Sequence, residues 1–330
     1  YLIERHGSDI FVDLVINDDC SRDKTIILID KWLGFNSHFF RNVNKIFNNK
    51  NIGTCQSFLN IVRNTKTDAL KITAGDDVYS CENLFEYGVL PEDVSILSGI
   101  PLNIIDGEII KNNRELLGIY LSREIYKDKN YLDRFKGLSN NNAPNIFYNK
   151  SNLTSLKFES FISKCDVIED WSTQIFIAEN YPETKFSLVE KVFVYYRRTE
   201  GSTYIVANNR FVKDKLFIYQ YLIDGSLSVF EKILLKNRRF LFVSGNGVFN
   251  KIFNIAFYQF FIRSIPYIFR EKKKIEKINT SRFVSHYEII KSNASSFYSK
   301  KWFLIQKQIN DVCINSFDFN FLKLCVFWEN

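Results

Sequence analysis

Two pairs of neighbouring aspartates have the residue types and the placement to hold a cation beside a phosphate group. Asp18-Asp19 and Asp76-Asp77 each follow a short apolar run of the kind that forms a buried strand. Neighbouring carboxylates repel one another unless a cation or hydrogen-bond donors lie between them. Mg²⁺ and Mn²⁺ prefer oxygen ligands and usually share their coordination shell with substrate phosphates. The two pairs therefore predict a site for a metal-bound nucleoside diphosphate, although each pair alone is also ordinary turn chemistry.

Strands and helices alternate along the N-terminal half and would carry these aspartates to one edge of a sheet. Strands are predicted at Phe11–Ile16, near Phe39–Val43 and at Ala69–Thr73. A helix capped by Ser21 separates the first two strands, and a second helix with apolar residues at i, i+3, i+4 and i+7 follows Gly53. This rhythm predicts an α/β fold with a parallel sheet, in which ligands bind at the carboxyl ends of the strands.

The composition fits a folded protein of about two domains. The chain has 330 residues, of which 46% are apolar, and only 13 glycines and 6 cysteines, which excludes disordered, collagen-like and disulfide-rich classes. The cysteines stand singly, without a C-x-x-C pair, and no signal peptide or 18-residue apolar run is found. A reduced, cytoplasmic location is therefore predicted.

Charge is unevenly divided between the two parts of the chain. Residues 205–330 contain 20 Lys and Arg against 9 Asp and Glu, whereas residues 1–204 contain 24 against 28. Segment 252–277 joins an aromatic, helical pattern to the basic run Arg270 to Lys274, which predicts peripheral contact with the inner face of the cell membrane. A helical subdomain that covers the first half would give the same pattern, and an AT-rich genome would give the same composition.

Five segments, taken in order, resemble family 2 glycosyltransferases, which have the GT-A fold. Residues 17–25 resemble the D-D-x-S-x-D-x-T segment, and residues 51–53 with 74–77 resemble the N-x-G helix and the acidic metal-binding motif. Residues 142–144 resemble the acceptor-side loop, residues 168–171 the E-D-W motif, and residues 194–202 the closing Y-R-x-H-x-x-S segment. The resemblance covers roughly residues 8–204.

This resemblance implies an inverting transfer of a sugar from a nucleotide-diphosphate sugar to a hydroxyl group. On family grounds the donor would be a UDP-sugar, and the acceptor a glycan or lipid-linked sugar in surface polysaccharide or lipopolysaccharide synthesis. Residues 1–204 would form a GT-A nucleotide-sugar-binding and catalytic domain with a mixed sheet flanked by helices. Residues 205–330 would form a mainly helical, basic and aromatic C-terminal region.

The resemblance also assigns roles to the four strand-end aspartates. Asp19, with Asp18 beside it, would contact the nucleotide base. Asp76 and Asp77 would hold the ribose and the Mn²⁺ or Mg²⁺ ion that bridges the diphosphate.

By the same resemblance, Asp170 next to Glu169 would be the general base that takes the proton of the acceptor hydroxyl. Taken alone, this acidic pair is also an ordinary helix N-terminus. Arg197 or Arg198 would add a bidentate contact to the diphosphate.

Three departures from the family pattern keep other functions open. Ala74 replaces the first Asp of the family's D-x-D. Thr199 replaces its histidine, so that Glu200 or an extra water would complete the metal's ligands. The family's first strand, with its I-P-x-Y-N turn, is absent before Tyr1. A catalytically inactive glycosyltransferase-like binding protein is therefore one alternative. A nucleic-acid-binding protein that uses the basic aromatic half for stacking is another, but it leaves the acidic strand ends unexplained, so no nucleic-acid partner is predicted.

Overall fold

The computed structural model describes residues 2–7, 10–91, 93–198, 209–245, 247–306 and 322–329, with the backbone alone at residues 249, 251, 296–306 and 322–329. The strands are β1 Phe11–Asp18, β2 Asn42–Phe47, β3 Ala69–Ala74, β4 Val78–Tyr79, β5 Val94–Ser98, β6 Leu102–Ile105, β7 Glu108–Ile110, β8 Ile146–Asn149, β9 Lys185–Leu188, β10 Val194–Arg197 and β11 Leu322–Glu329. The helices are α1 Leu2–His6, α2 Thr25–Asn36, α3 Thr54–Asn64, α4 Asn113–Tyr126, α5 Asp133–Lys136, α6 Leu156–Ile162, α7 Glu169–Asn180, α8 Asn209–Gly225, α9 Val229–Ser244, α10 Gly247–Ile252, α11 Ile255–Ser264, α12 Ile268–Glu276 and α13 Ser281–Gln306.

The main sheet has seven strands in the order β2-β1-β11-β3-β8-β5-β9. Strands β1 and β2 are parallel, and β11 runs antiparallel to both β1 and β3. Strands β1, β2 and β3 therefore point the same way, and their carboxyl ends lie at one edge. Strands β8 and β11 are antiparallel to their neighbours, so the predicted mixed α/β sheet flanked by helices is confirmed, whereas a purely parallel sheet is wrong.

Helix α3 and strand β3 form where the sequence predicts them. The α3 residues at i, i+3, i+4 and i+7, namely Cys55, Phe58, Leu59 and Val62, are all buried against the sheet. A strand buried on both faces needs apolar residues at successive positions. In β1 every residue after Phe11 is buried, and Val12, Leu14, Val15 and Ile16 supply the apolar positions.

Two local predictions are wrong. Helix α2 begins at Thr25 rather than after a Ser21 cap, because Cys20 has a left-handed φ of 67° and the Ser21 amide donates to Asp18. The second strand starts at Asn42, because Ser37–Phe39 forms a 3-10 turn.

A smaller sheet of order β4-β10-β6-β7 lies beside the main sheet. Strand β10 is parallel to β6 and antiparallel to β4. Since β4 follows directly after Asp77, this second sheet carries Arg197, the last residue of β10, to the end of β3.

The C-terminal region is mainly helical, as predicted, and two of its helices share the principal core. Ile218, Leu222 and Leu235 of α8 and α9 belong to the same buried cluster as Phe58 and Phe176 of α3 and α7. Among the described residues, no helix combines the length and the apolar character needed to cross a membrane.

Candidate functional site

The two acidic pairs lie at the same edge of the main sheet. Asn17 of β1 pairs with Lys323 of β11, and Lys323 pairs with Ala74 of β3. Asn17 and Ala74, at the ends of β1 and β3, therefore lie in one cross-strand row, two strand spacings or about 10 Å apart. Asp18 is the last residue of β1 and Asp76-Asp77 come after β3, so both aspartate pairs lie at strand ends on one edge of the sheet.

Asp18, the last residue of β1, has a fully buried carboxyl group. Its Oδ2 accepts the amide of Ser21 at 2.9 Å, whereas its Oδ1 has no hydrogen-bond partner among the described residues. The neighbouring Asn17 side chain is also buried without such a partner. Buried polar atoms of this kind are costly unless a ligand or water satisfies them.

The Asp19 carboxylate organises the loop that precedes α3. Its Oδ1 accepts the Ile52 amide at 2.8 Å and Asn48 Nδ2 at 3.1 Å, and its Oδ2 accepts the Gly53 amide at 2.9 Å. Gly53 has a φ of 88°, and a Cβ there would collide with the Asp166 carboxylate. In the structure the Asp19 carboxylate, which the sequence analysis expected to contact the nucleotide base, is engaged by the N-x-G segment.

Asp76 and Asp77 form a partly buried acidic pair in the turn after β3. Asp77 Oδ1 accepts the Arg197 amide at 2.9 Å, while its Oδ2 is buried without a partner among the described residues. Burial and the charge of Asp76 raise the pKa of Asp77 to about 7, and burial also raises the pKa of Asp76. A bound cation would offset both effects, because it stabilises the ionised carboxylates.

The residues present fit a divalent cation whose shell is shared with a substrate. Asp77 Oδ2 is the unsatisfied oxygen, and Asp76 supplies a second carboxylate next to it. No group of three or more His, Cys, Asp or Glu that could hold a metal is present in the described part of the chain, so further ligands would come from a diphosphate or water. Thr199 and Glu200 lie outside the described residues.

The two arginines after β10 have different neighbours. Arg197 donates its Nε to the Asp76 carbonyl at 2.7 Å, so it borders the acidic pair. Arg198 instead donates to Glu115 of α4 at 2.7 Å and lies over the Tyr196 ring. Arg197 is therefore the arginine that the structure places at the acidic edge.

Asp170 and Glu169 occupy the first turn of α7. Asp170 Oδ1 accepts the Trp171 amide at 2.7 Å, and the Asp170 carbonyl accepts Gln174 Nε2 at 3.1 Å. Negative charge is favoured at this end of a helix. The charges of Asp170 and Glu169 also act, after burial, to raise the pKa of Tyr148 on β8, which pairs with Leu70 of β3. The E-D-W segment therefore lies beside the strand next to β3.

The loop before α7 is fixed by a buried aspartate that the sequence analysis missed. Asp214 of α8 is 1% exposed, and its Oδ2 accepts the amides of Asp166, Val167 and Ile168 at 2.8, 2.7 and 3.1 Å. The Asp166 carbonyl in turn accepts the Cys55 amide of α3 at 3.0 Å. This chain of contacts connects the Asp19 loop to the start of α7. Asp214 lies four residues before Ile218 and eight before Leu222, on the apolar face of α8. This spacing could have predicted that its carboxyl group is buried.

Two lysines near the site were also missed. Lys71 of β3 is fully buried, and its Nζ donates to the Ile72 carbonyl, to Thr73 Oγ1 and to the Pro144 carbonyl. Lys215 of α8 lies over the Trp171 ring, and burial lowers its pKa to about 7. The position of Lys71 inside a mostly apolar strand could have predicted that this lysine is buried.

Comparisons with known proteins give similarities of fold only at low sequence identity. No family model and no curated protein matches the chain. The crystal structure of S. aureus TarS 1–349 with UDP-GlcNAc has a TM-score of 0.47 and 16% identity, covering 87% of this chain and 82% of that one. A mannosyltransferase, PcManGT from Pyrobaculum calidifontis in complex with GDP-Man and Mn²⁺, has a TM-score of 0.47 and 10% identity, covering 89% and 74%.

A longer S. aureus TarS structure has a TM-score of 0.43 and 14% identity over 68% of this chain. The chain spans 37% of the length of that protein. Because these TM-scores lie below 0.5, the function of this chain has to be argued from its own residues.

Proposed function

We propose that the protein is an inverting, metal-dependent glycosyltransferase of the GT-A type. It would transfer a sugar from a nucleoside-diphosphate sugar, with UDP as the first choice of nucleotide, to a hydroxyl of a glycan or lipid-linked acceptor. The setting proposed is surface-polysaccharide or lipopolysaccharide synthesis in the cytoplasm, at the inner face of the cell membrane.

The observation that carries this proposal is the cross-strand row that joins the two acidic strand ends. Asn17, Lys323 and Ala74 place Asp18 and the Asp76-Asp77 turn at one edge. There the buried Asp77 Oδ2 has no protein partner in the described residues. An edge with unsatisfied carboxylate oxygens suits a cation and a diphosphate, and ligands of α/β sheets bind at this edge.

The leaving group in such a reaction is a diphosphate whose negative charge grows in the transition state. Asp77 and Asp76 would hold a divalent cation, which when bound offsets that charge. Arg197 already lies against the Asp76 carbonyl, and its guanidinium would contact a phosphate oxygen of the donor. These residues therefore bind and orient the diphosphate end of the donor.

Asp170 is the proposed general base. A free hydroxyl is a weak nucleophile, so a carboxylate has to accept its proton while the oxygen attacks the anomeric carbon from the face opposite the diphosphate. Asp170 lies in the first turn of α7, an end of a helix that interacts favourably with negative charge. The Asp214 carboxylate holds the preceding loop and so fixes where that helix begins.

The decisive experiment combines binding and turnover. Thermal unfolding is measured with a panel of nucleotide sugars, with and without Mn²⁺, and the stabilising donors are then used in radiolabelled form. We expect one nucleotide sugar to raise the melting temperature only when Mn²⁺ is present. In the turnover assay its labelled sugar should be transferred and the nucleoside diphosphate released. Binding of single-stranded nucleic acid without any response to nucleotides would contradict the proposal.

A catalytically inactive nucleotide-sugar-binding protein is the second candidate. It is favoured by Ala74 at the place of a family aspartate and by Asp19, whose carboxylate already accepts three hydrogen bonds within the protein. Metal-dependent binding without sugar transfer or donor hydrolysis would identify it.

A further inference from the structure

We infer that helices α9, α11 and α12 form a docking surface for an anionic lipid bilayer, referred to below as the α9–α12 face. The inference does not depend on the proposed sugar transfer, because it rests on a different part of the surface. The sequence pattern predicted membrane contact for residues 252–277 only. The structure adds α9 to that surface.

Helix α9 exposes an apolar stripe. Val229, Ile233, Phe240 and Val243 are 73%, 51%, 61% and 62% exposed. Their spacing of four, seven and three residues places them along one side of a helix. The opposite side is buried, with Leu234, Leu235, Arg238 and Leu241 in contact with the rest of the protein.

Helices α11 and α12 continue the exposed apolar surface. Tyr258, Phe261, Ile262, Ile265 and Phe269 lie at helical spacing and are between 47% and 81% exposed. On the other side of these helices, Phe260, Tyr267 and Ile268 pack against the buried Leu121, Ile125 and Tyr126 of α4. The outward side chains are therefore not needed for packing against α4.

The two stripes are neighbours in space. The side chain of Asn237 on α9 donates to the Phe253 carbonyl at 3.0 Å and accepts the Ile255 amide at 3.1 Å. The junction of α10 and α11 is thus fixed against the middle of α9. A contiguous apolar surface of this kind usually marks a site of protein or membrane interaction.

The charge of residues 229–277 favours a membrane over a second protein as the partner of the α9–α12 face. Residues 229–277 contain eleven Lys and Arg against three Glu. Of the glutamates, Glu231 pairs with Lys136, and Glu271 is buried in a network with Arg123, Arg270 and Lys274.

Lys236, Lys272 and Lys273 are exposed and have no carboxylate partner among the described residues. If two copies of the protein paired through the α9–α12 face, their lysines would repel one another. An anionic bilayer supplies both the apolar interior for the aromatic side chains and the opposite charge for the lysines.

The test is co-sedimentation with phosphatidylcholine vesicles that lack or contain about 30% phosphatidylglycerol, at ~50 and ~500 mM NaCl. We expect at least about tenfold stronger partitioning to the anionic vesicles at low salt, and a large decrease at high salt. Lys272→Glu with Lys273→Glu should remove the charge-dependent part, and Phe261→Ser with Ile265→Ser should weaken binding at both salt concentrations.

Matched control variants distinguish binding through the α9–α12 face from nonspecific binding by other exposed apolar or basic side chains. Leu156→Ser removes an apolar side chain that is 85% exposed on α6, and Lys66→Glu with Lys157→Glu makes the same charge change elsewhere. These two control variants should keep the vesicle binding and the melting temperature of the unchanged protein. Equal binding to neutral and anionic vesicles would overturn the inference. So would a concentration-dependent dimer, seen by light scattering, that Ile233→Glu dissociates.

Discussion

At the scale of single residues, the two oxygens of Asp77 have different surroundings. One accepts the Arg197 amide, and the other is buried without a partner in the described residues. A folded protein keeps such an arrangement where a ligand completes it, since an unsatisfied buried acceptor costs about 1–3 kcal/mol. Asp170, in contrast, is oriented by its own helix through the Trp171 amide. The two carboxylates therefore suit different tasks, cation binding and proton transfer.

Asp77→Asn is expected to remove the cation site without disturbing the turn, because the amide oxygen can still accept the Arg197 amide. Sugar transfer should fall by about a hundredfold or more. The nucleotide-dependent stabilisation should no longer respond to Mn²⁺ in thermal unfolding. Unchanged activity of the unsubstituted protein in EDTA would contradict a metal site.

Asp170→Asn is expected to abolish transfer, since an amide cannot accept the hydroxyl proton, and a general base contributes about 10²–10⁴-fold. Nucleotide affinity, measured by calorimetry, should remain within about twofold of the original. Glu169→Gln is the matched change at the neighbouring position and should retain most of the turnover. Full activity of the Asp170 variant would place the base elsewhere.

At the scale of elements, helix α8 determines where α7 begins. A single oxygen of Asp214 accepts three consecutive amides, and hydrogen bonds to a charged group stabilise more than neutral ones. Arg210, one turn earlier on α8, makes a bidentate pair with Asp166 in the same loop. The loop is therefore held from α8 by two side chains.

Asp214→Asn is expected to lower the free energy of unfolding by about 2 kcal/mol, because a neutral oxygen replaces a charged acceptor. If α7 carries the base, kcat should fall more than the affinity for the nucleotide. Asp224→Asn makes the same chemical change at an exposed site of the same helix and should alter neither quantity. Comparison of melting temperatures and of kcat for the two variants checks both expectations.

Asp13 of β1 forms an ion pair with Arg41, the residue before β2, and from this pair we expect a pH-dependent stability. Hydrogen bonds from Arg41 hold the pKa of Asp13 below its usual value. The pair therefore stabilises the fold above the unfolded pKa of aspartate, and this stabilisation is lost as pH falls through the lower folded pKa. Arg41→Gln should cost about 2 kcal/mol at pH 7. The difference should shrink below about pH 4 in urea unfolding, and a constant difference would contradict the assignment.

At the scale of the whole molecule, the sheet and the first C-terminal helices form one buried core. Ile218, Tyr219, Leu222 and Ile223 of α8 contact the cluster that α3, α7 and β8 also line. Removal of α8 would expose this cluster to water. We therefore expect the sheet and α8 to unfold together.

Leu222→Ala is expected to destabilise the protein by about 2–4 kcal/mol, because it leaves a cavity in this shared core. The loss should appear equally in far-ultraviolet circular dichroism and in tryptophan fluorescence, with a single transition. Leu227→Ala, at a position that is 98% exposed, is the control and should have little effect. Two separate transitions would show that the C-terminal helices fold independently.

Local patterns predicted the elements whose contacts are near in sequence. Helix α3 and the aspartate pairs after β1 and β3 were predicted because apolar spacing and turn residues act within a few positions. The Ser21 cap failed because the backbone at Cys20 turns left-handed, which no residue type required. Asp214 and β11 were missed because their partners are tertiary, and sequence spacing does not show which distant segment completes a loop or a sheet.

The strand β11 has a consequence for how the protein is made. Asp18 and its ladder partner Leu322 are 304 residues apart. The edges of β1 and β3 that face each other therefore stay open during synthesis until residues 322–329 have left the ribosome. Such distant pairing slows folding, and open edges invite aggregation. A nascent chain stalled before residue 322 should accordingly depend on chaperones and be cleaved readily by protease, whereas the released protein should resist both.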